Sequence, residues 1–204
     1  MLNLELLLSF FFLSLVVIAI PGPNILVIVA TSLSAGTTRG LQTVAGTSLA
    51  MLIQLAVAAL GTTGLLTVIN NGLRWLKWAG VIYLLYLAFS AFRSLGKRSV
   101  TQEITALGSF QRGFWVSLTN PKTILFFTAF LPQFIVDEAN YLYEFGLLSL
   151  IFWISAVFID GSYAVLASRA KMLLSNKNVS HIQNGLSGTL YLVASLALAH
   201  SNRS

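Results

Sequence analysis

Lys122 and Asp160 lie inside long apolar runs, away from their ends. A charge at a bilayer centre costs about 2.5–3.5 kcal/mol on insertion scales, so such residues usually face a cavity or a partner. The apolar runs also carry two proline interruptions, Pro21-Gly22-Pro23-Asn24 and Asn120-Pro121-Lys122. Together these residues could recognise a zwitterion. Lys122 could complement a carboxylate, and Asp160 could pair with an ammonium or bind and release a coupling proton. Asn24 and Asn120 add amide donors and acceptors, and Tyr163, one turn from Asp160, could bond it or the substrate. The bland alternatives are a buried Lys122–Asp160 ion pair that merely braces two helices, and prolines that merely kink them.

A proline in a helix removes a donor and clashes with the preceding turn. In hydrocarbon the freed backbone groups survive only where they are buried in protein or line a cavity. Paired breaks at corresponding places in two halves point to a transporter's binding site, so Pro21, Gly22, Pro23 and Pro121 are expected to line a pathway. A half-helix N-terminus offers N–H groups to a carboxylate.

Six segments approach the roughly 20 apolar residues a span needs: 4–31, 42–66, 74–94, 113–134, 142–168 and 183–200. The expectation is an all-α polytopic membrane protein with broken first and fourth helices. It forms one membrane domain, with a first three-helix repeat over 1–94, a cytoplasmic loop over 95–112 and a second repeat over 113–204. Three is odd, so the second repeat runs inverted. Gly22-Pro23 and Asn120-Pro121 lie 98 residues apart, each followed by an apolar run. The sixth segment is rich in Gly and Ser at its start, and a five-span topology would move the C-terminus to the cytoplasm.

Orientation follows from the basic residues. Eight (Arg39, Arg93, Lys97, Arg98, Arg112, Arg169, Lys171, Lys177) fall on one side and three (Arg74, Lys77, Arg203) on the other. The first side is therefore expected to be cytoplasmic, with periplasmic termini. At 1.5 Å per helical residue, Lys122 and Asp160 lie about 15 and about 14 Å from that face and the Pro23 break roughly 18 Å. All three features meet near the midplane. Trp75, Trp78, Trp115, Tyr141 and Tyr143 near the span ends read as lipid anchors.

Composition excludes other classes. The 204 residues are 56% hydrophobic and 9% charged, far from the about 25% charged residues of soluble domains. The +6 charge lies in short loops and forms no block suited to nucleic acid. With no cysteine, disulfides and thiolate metal sites are absent. The Gly185-Leu186-Ser187-Gly188 run looks like an intramembrane protease nucleophile. However, His181 points roughly 240° around the helix from Ser187, and His200 lies about 20 Å along it. Two histidines without a zinc spacing and no Walker A lysine leave no catalytic residue, metal or cofactor to expect.

The residues resemble a known family. Ile20-Pro21-Gly22-Pro23-Asn24, Gly36-Thr37-Thr38-Arg39-Gly40, Ala45-Gly46, Trp75-Leu76-Lys77-Trp78-Ala79-Gly80, Gly113-Phe114, Asn120-Pro121-Lys122 and Phe130-Leu131-Pro132-Gln133-Phe134 are similar to the LysE/RhtB amino-acid exporters. The resemblance covers essentially the whole chain. It implies export of amino acids or related metabolites across the bacterial inner membrane, driven by the proton motive force, with the two proline segments lining the pathway. It does not name a proton carrier; Asp160 is inferred from burial alone. The expected partners are an amino acid, protons and the lipid bilayer. A homodimer is compatible with so small a carrier, with no interface motif to decide it. A passive pore or a membrane scaffold without substrate is the alternative.

Overall fold

The computed structural model describes residues 4–60, 105–173 and 189–193, together with Trp78, Val81, Ile82, Leu85, Tyr86, Ala88, Phe89, Phe92, Arg93 and Leu196. Ser187, His181, His200 and Trp75 lie outside the described residues, as do most of the third and sixth segments. The described secondary structure is all helical.

Helix α1 (Leu4–Ala19) and helix α2 (Pro23–Ala35) form one apolar stretch bent by 52°. Pro21 and Pro23 are the cause. Pro23 takes the first position of α2, where its missing N–H costs nothing, and Gly22 caps the helix in an extended conformation. At the far end Gly36 adopts φ 86°, a region where a Cβ would be strained. It turns the chain directly into α3 (Thr37–Leu60).

Helix α4 (Ala106–Leu118) is capped by Thr105, whose hydroxyl accepts the Gly108 N–H at 3.1 Å. The segment expected to be loop over 95–112 is thus already helical from Ala106, because Thr105 supplies an N-cap that hydropathy alone does not weigh. After the break at Thr119–Asn120 the span resumes as α5 (Pro121–Leu125). It then widens into a π turn (Phe126–Phe130) and tightens into a 3-10 turn (Leu131–Phe134). The ring of Pro132 would strike the Thr128 carbonyl in a regular helix, and the wider turn relieves that clash. After a short 3-10 turn at Glu138–Asn140, helix α6 (Tyr141–Leu173) runs for 33 residues.

The surface is inverted relative to a water-soluble bundle. In α1, Phe10, Ser14 and Ile18 are buried at a spacing of four, while Leu8, Phe12 and Val16 face outward. Phe158, Leu150 and Leu166 do the same on α6. Apolar side chains in helices long enough to cross hydrocarbon are what a membrane requires. The α3–α4 crossing is close, since a Cβ on Gly46 would fall on the Phe110 carbonyl and one on Gly113 on the Thr43 carbonyl. Two reciprocal glycines let these backbones touch.

Two apolar clusters divide the bundle. One contains Phe10, Ile18, Met51, Leu55, Phe126, Phe127, Phe145, Phe152 and Ala156. The other contains Val27, Ile28, Val44, Val116 and Ala164. Helices α1, α2 and α6 run from the aromatic cluster to the aliphatic one, and α3 and the α4–α5 pair run the opposite way. Each crosses between clusters at polar residues: Gly22–Asn24, Thr47, Asn120–Thr123 and Asp160. The bundle has a polar layer at its waist.

Candidate functional site

The prolines determine what the layer must satisfy. In an unbroken helix the Ala19 carbonyl would accept from residue 23, but Pro23 has no N–H. Tyr163 supplies the replacement, its hydroxyl donating to the Ala19 carbonyl at 3.1 Å. The next carbonyl, Ile20, receives the Lys122 ammonium at 2.7 Å. At the second break Pro121 deprives Ser117 of its helical donor, and the carbonyl takes the Asn120 N–H at 3.0 Å instead. Gln54 reaches across from α3 and donates Nε2 to the carbonyls of Ser117 at 2.8 Å and Leu118 at 3.2 Å. In hydrocarbon an orphaned carbonyl has no water to turn to, so each break is braced by side chains from the other half of the chain.

The two breaks also bond to each other. Asn120 caps α5, its Oδ1 accepting the Lys122 N–H at 3.1 Å. That fixes its amide orientation, so Nδ2 donates to Asn24 Oδ1 at 2.9 Å. Asn24 Nδ2 in turn donates to Ser117 Oγ at 3.1 Å, and the Ser117 hydroxyl donates to the Thr47 carbonyl at 3.2 Å. A backbone N–H at one end and a backbone carbonyl at the other set the direction of the whole relay. Asn24, Asn120, Ser117 and Thr47 are all buried.

Beside this relay lies a small, open cavity lined by Gly22, Asn24, Asn120, Lys122, Thr123 and Asp160 on its polar side. Ile18, Ile25, Met51, Phe152 and Ala156 form the apolar side. Asp160 is 3% exposed and bonds the Thr47 hydroxyl, which also lies 2.9 Å from the Val44 carbonyl. Lys122 and Asp160 interact across the cavity as opposite charges.

The structure therefore brings Asn24, Asn120, Lys122, Asp160 and Gly22 to one cavity. Tyr163 is placed apart, bracing the first break. Pro21, Pro23 and Pro121 shape the breaks without lining the cavity. Gln54 makes interhelical bonds. Ser117, Thr47 and the apolar lining were not singled out from sequence. Two signals were available: Ser117 stands four residues before Pro121, and Phe152 and Ala156 precede Asp160 at intervals of four on one helix face. Among the described residues no three His, Asp or Glu side chains gather as a metal site.

Comparison with known proteins gives the family. A homoserine/homoserine lactone efflux protein of Salmonella typhimurium is 26% identical over 182 residues, covering 88% of each chain. A leucine efflux protein of Salmonella choleraesuis is 32% identical over 124 residues, 58% of each. An uncharacterized membrane protein of Pseudomonas aeruginosa is 32% identical over 152 residues, 71% of this chain and 68% of its own. No solved structure matches. The family is one of transporters and not of enzymes. The LysE type translocator profile matches residues 15–202, and this chain belongs to that family.

Proposed function

We propose that this protein exports a neutral or small polar amino acid from the bacterial cytoplasm across the inner membrane, in exchange for protons. The observation that carries the reading is the cavity at the waist, where a buried carboxyl and an ammonium face one another beside a helix N-terminus with no side-chain cap. The substrate ammonium pairs with Asp160. Its carboxylate lies at the start of α2, where Gly22 offers no side chain to the first N–H groups, and Lys122 complements the charge. Proton exchange at Asp160 couples release to the gradient. Ile18, Ile25, Met51, Phe152 and Ala156 receive a side chain without charge. The efflux relatives named for homoserine and leucine are in keeping with such a cargo.

The architecture proposed is six spans in two inverted repeats, 1–94 and 113–204 joined through 95–112, with periplasmic termini. The opposed directions of the first and fourth spans, and of the second and fifth, support the inversion. So does the cross-bracing of each break by the other half. Alternating access follows from movement about the polar layer.

The test uses purified protein in proteoliposomes with an internal pH dye, challenged with a panel of amino acids. Substrate-dependent proton flux in wild type and its loss in Asp160→Asn is the expected result. Flux preserved in Asp160→Asn removes that residue from coupling. Absence of flux with every amino acid refutes the cargo, and conductance without any gradient dependence indicates a pore.

A further inference from the structure

Helix α1 ends at Ala19, at the bend, so the negative pole of its dipole is there. Broken helices in secondary carriers commonly place an alkali cation at such a C-terminal end. Here the Ile20 carbonyl receives an ammonium instead, at 2.7 Å from Lys122 Nζ. That distance is typical of a charge-assisted bond. The same ammonium faces the Asp160 carboxyl and lines the cavity. Its stem crosses Gly22, where a Cβ would meet Lys122 Cδ at 3.5 Å and Nζ at 3.6 Å.

We propose that the Lys122 ammonium is a tethered resident cation, occupying between the Ile20 carbonyl and Asp160 the position of a monovalent ion. Charge decides the point. The cavity wall carries one carboxyl and one ammonium, so it accepts a zwitterion with no further ion. With Lys122 truncated, the helix terminus and Asp160 become an anionic site open to Na⁺ or to a small primary ammonium ion. The proposal deepens the transport reading and assumes its cavity, but its first test does not require a transported substrate.

Purified wild type and Lys122→Ala are melted in detergent with added NaCl, propylammonium chloride or tetramethylammonium chloride at constant ionic strength. Lys122→Ala is expected to melt several degrees below wild type. Propylammonium, which restores the deleted stem and charge, raises that midpoint saturably, Na⁺ raises it less, and tetramethylammonium, which cannot donate, leaves it unchanged. Wild type shows no such discrimination. A Lys122→Ala midpoint equal to wild type, or equal responses to all three salts, overturns the proposal. Lys122→Met keeps the stem's volume and guards against a variant that fails only through a packing void. It should show the lowered midpoint and a selective Na⁺ response, and a Lys122→Met indifferent to cation identity also overturns the proposal. In proteoliposomes, wild-type flux should persist when Na⁺ and K⁺ are replaced by N-methylglucamine. A flux that requires either metal ion refutes the resident-cation assignment, whereas no amino-acid flux in any medium bears on the cargo alone.

Discussion

The relay between the two breaks makes a quantitative prediction for Asn24 and Asn120. Asn120→Ala removes an N-cap, worth about 0.5–2 kcal/mol, and leaves the buried Asn24 Oδ1 without its donor, at about 1–3 kcal/mol. The expected loss of stability is therefore about 2–4 kcal/mol. Asn24→Ala removes no cap. It strands Asn120 Nδ2 and one donor to Ser117, giving about 1–3 kcal/mol. The penalties overlap, because each single variant orphans the group the other would delete. The double variant should fall short of the sum by about 1 kcal/mol or more, within the range for residues in direct contact. The assay is unfolding of purified protein by increasing SDS mole fraction in mixed micelles, followed by tryptophan fluorescence. Additivity of Asn24→Ala and Asn120→Ala within about 0.3 kcal/mol would sink the relay.

Gly46→Ala and Gly113→Ala should each cost about 1–3 kcal/mol by forcing α3 from α4. Because one separation of the helices relieves both contacts, the double variant should cost less than the sum in the same unfolding assay. At Gln54, Leu removes the donor to the Leu118 carbonyl but also deletes Oε1, which has no partner. The two terms oppose, so Gln54→Leu should change stability by less than about 2 kcal/mol. Gln54→Glu instead sets an acceptor against two carbonyls and should be far worse; equal effects would refute the capping role. Asp137 lies outside the spans, and the Asn140 side chain holds its carboxyl below the usual carboxylate range. A lowered value means its contribution is present above the unfolded carboxylate value and is lost as pH falls through the folded one. Asn140→Ala should therefore bring the Asp137 titration, followed by NMR, up toward the ordinary value.

Much of this was legible because prolines act locally. The break at Pro21–Pro23, the break at Pro121 and the burial of Asp160 follow from residue type and hydropathy period, and the structure places them in one cavity. The Ala106 start of α4 was not legible, since a Thr105 cap can outweigh the polar composition around it. Tyr163 was legible as a neighbour of Asp160 and illegible as a brace. Three residues on along α6 it faces the Ala19 carbonyl, and that pairing depends on how α1 and α6 pack, which no local rule supplies. Gln54 shows the same limit. Its polarity predicts a partner, but only the α3–α4 crossing at Gly46 and Gly113 determines that the partner is a pair of carbonyls.

Those partners constrain how such a carrier can move. The Ala19, Ile20 and Leu118 carbonyls are satisfied by side chains from the opposite half of the chain, and Gln54 also bonds the Ser117 carbonyl. A rigid rotation of one half against the other must therefore break or carry along each of these bonds. In hydrocarbon a carbonyl stripped of its donor finds no water, and three at once would be prohibitive at about 1–3 kcal/mol each. Motion is then cheapest where the donors are long and flexible and the acceptors lie beside the cavity. Lys122 meets that condition and Gln54 does not, for Gln54 is pinned to two adjacent carbonyls at the glycine crossing. The α3–α4 contact should consequently move as one unit while the Lys122–Ile20 bond opens. A disulfide engineered across α3 and α4 near Gly46 and Gly113 should leave transport intact. Transport lost on forming that cross-link and restored on reduction would refute the assignment of the moving seam.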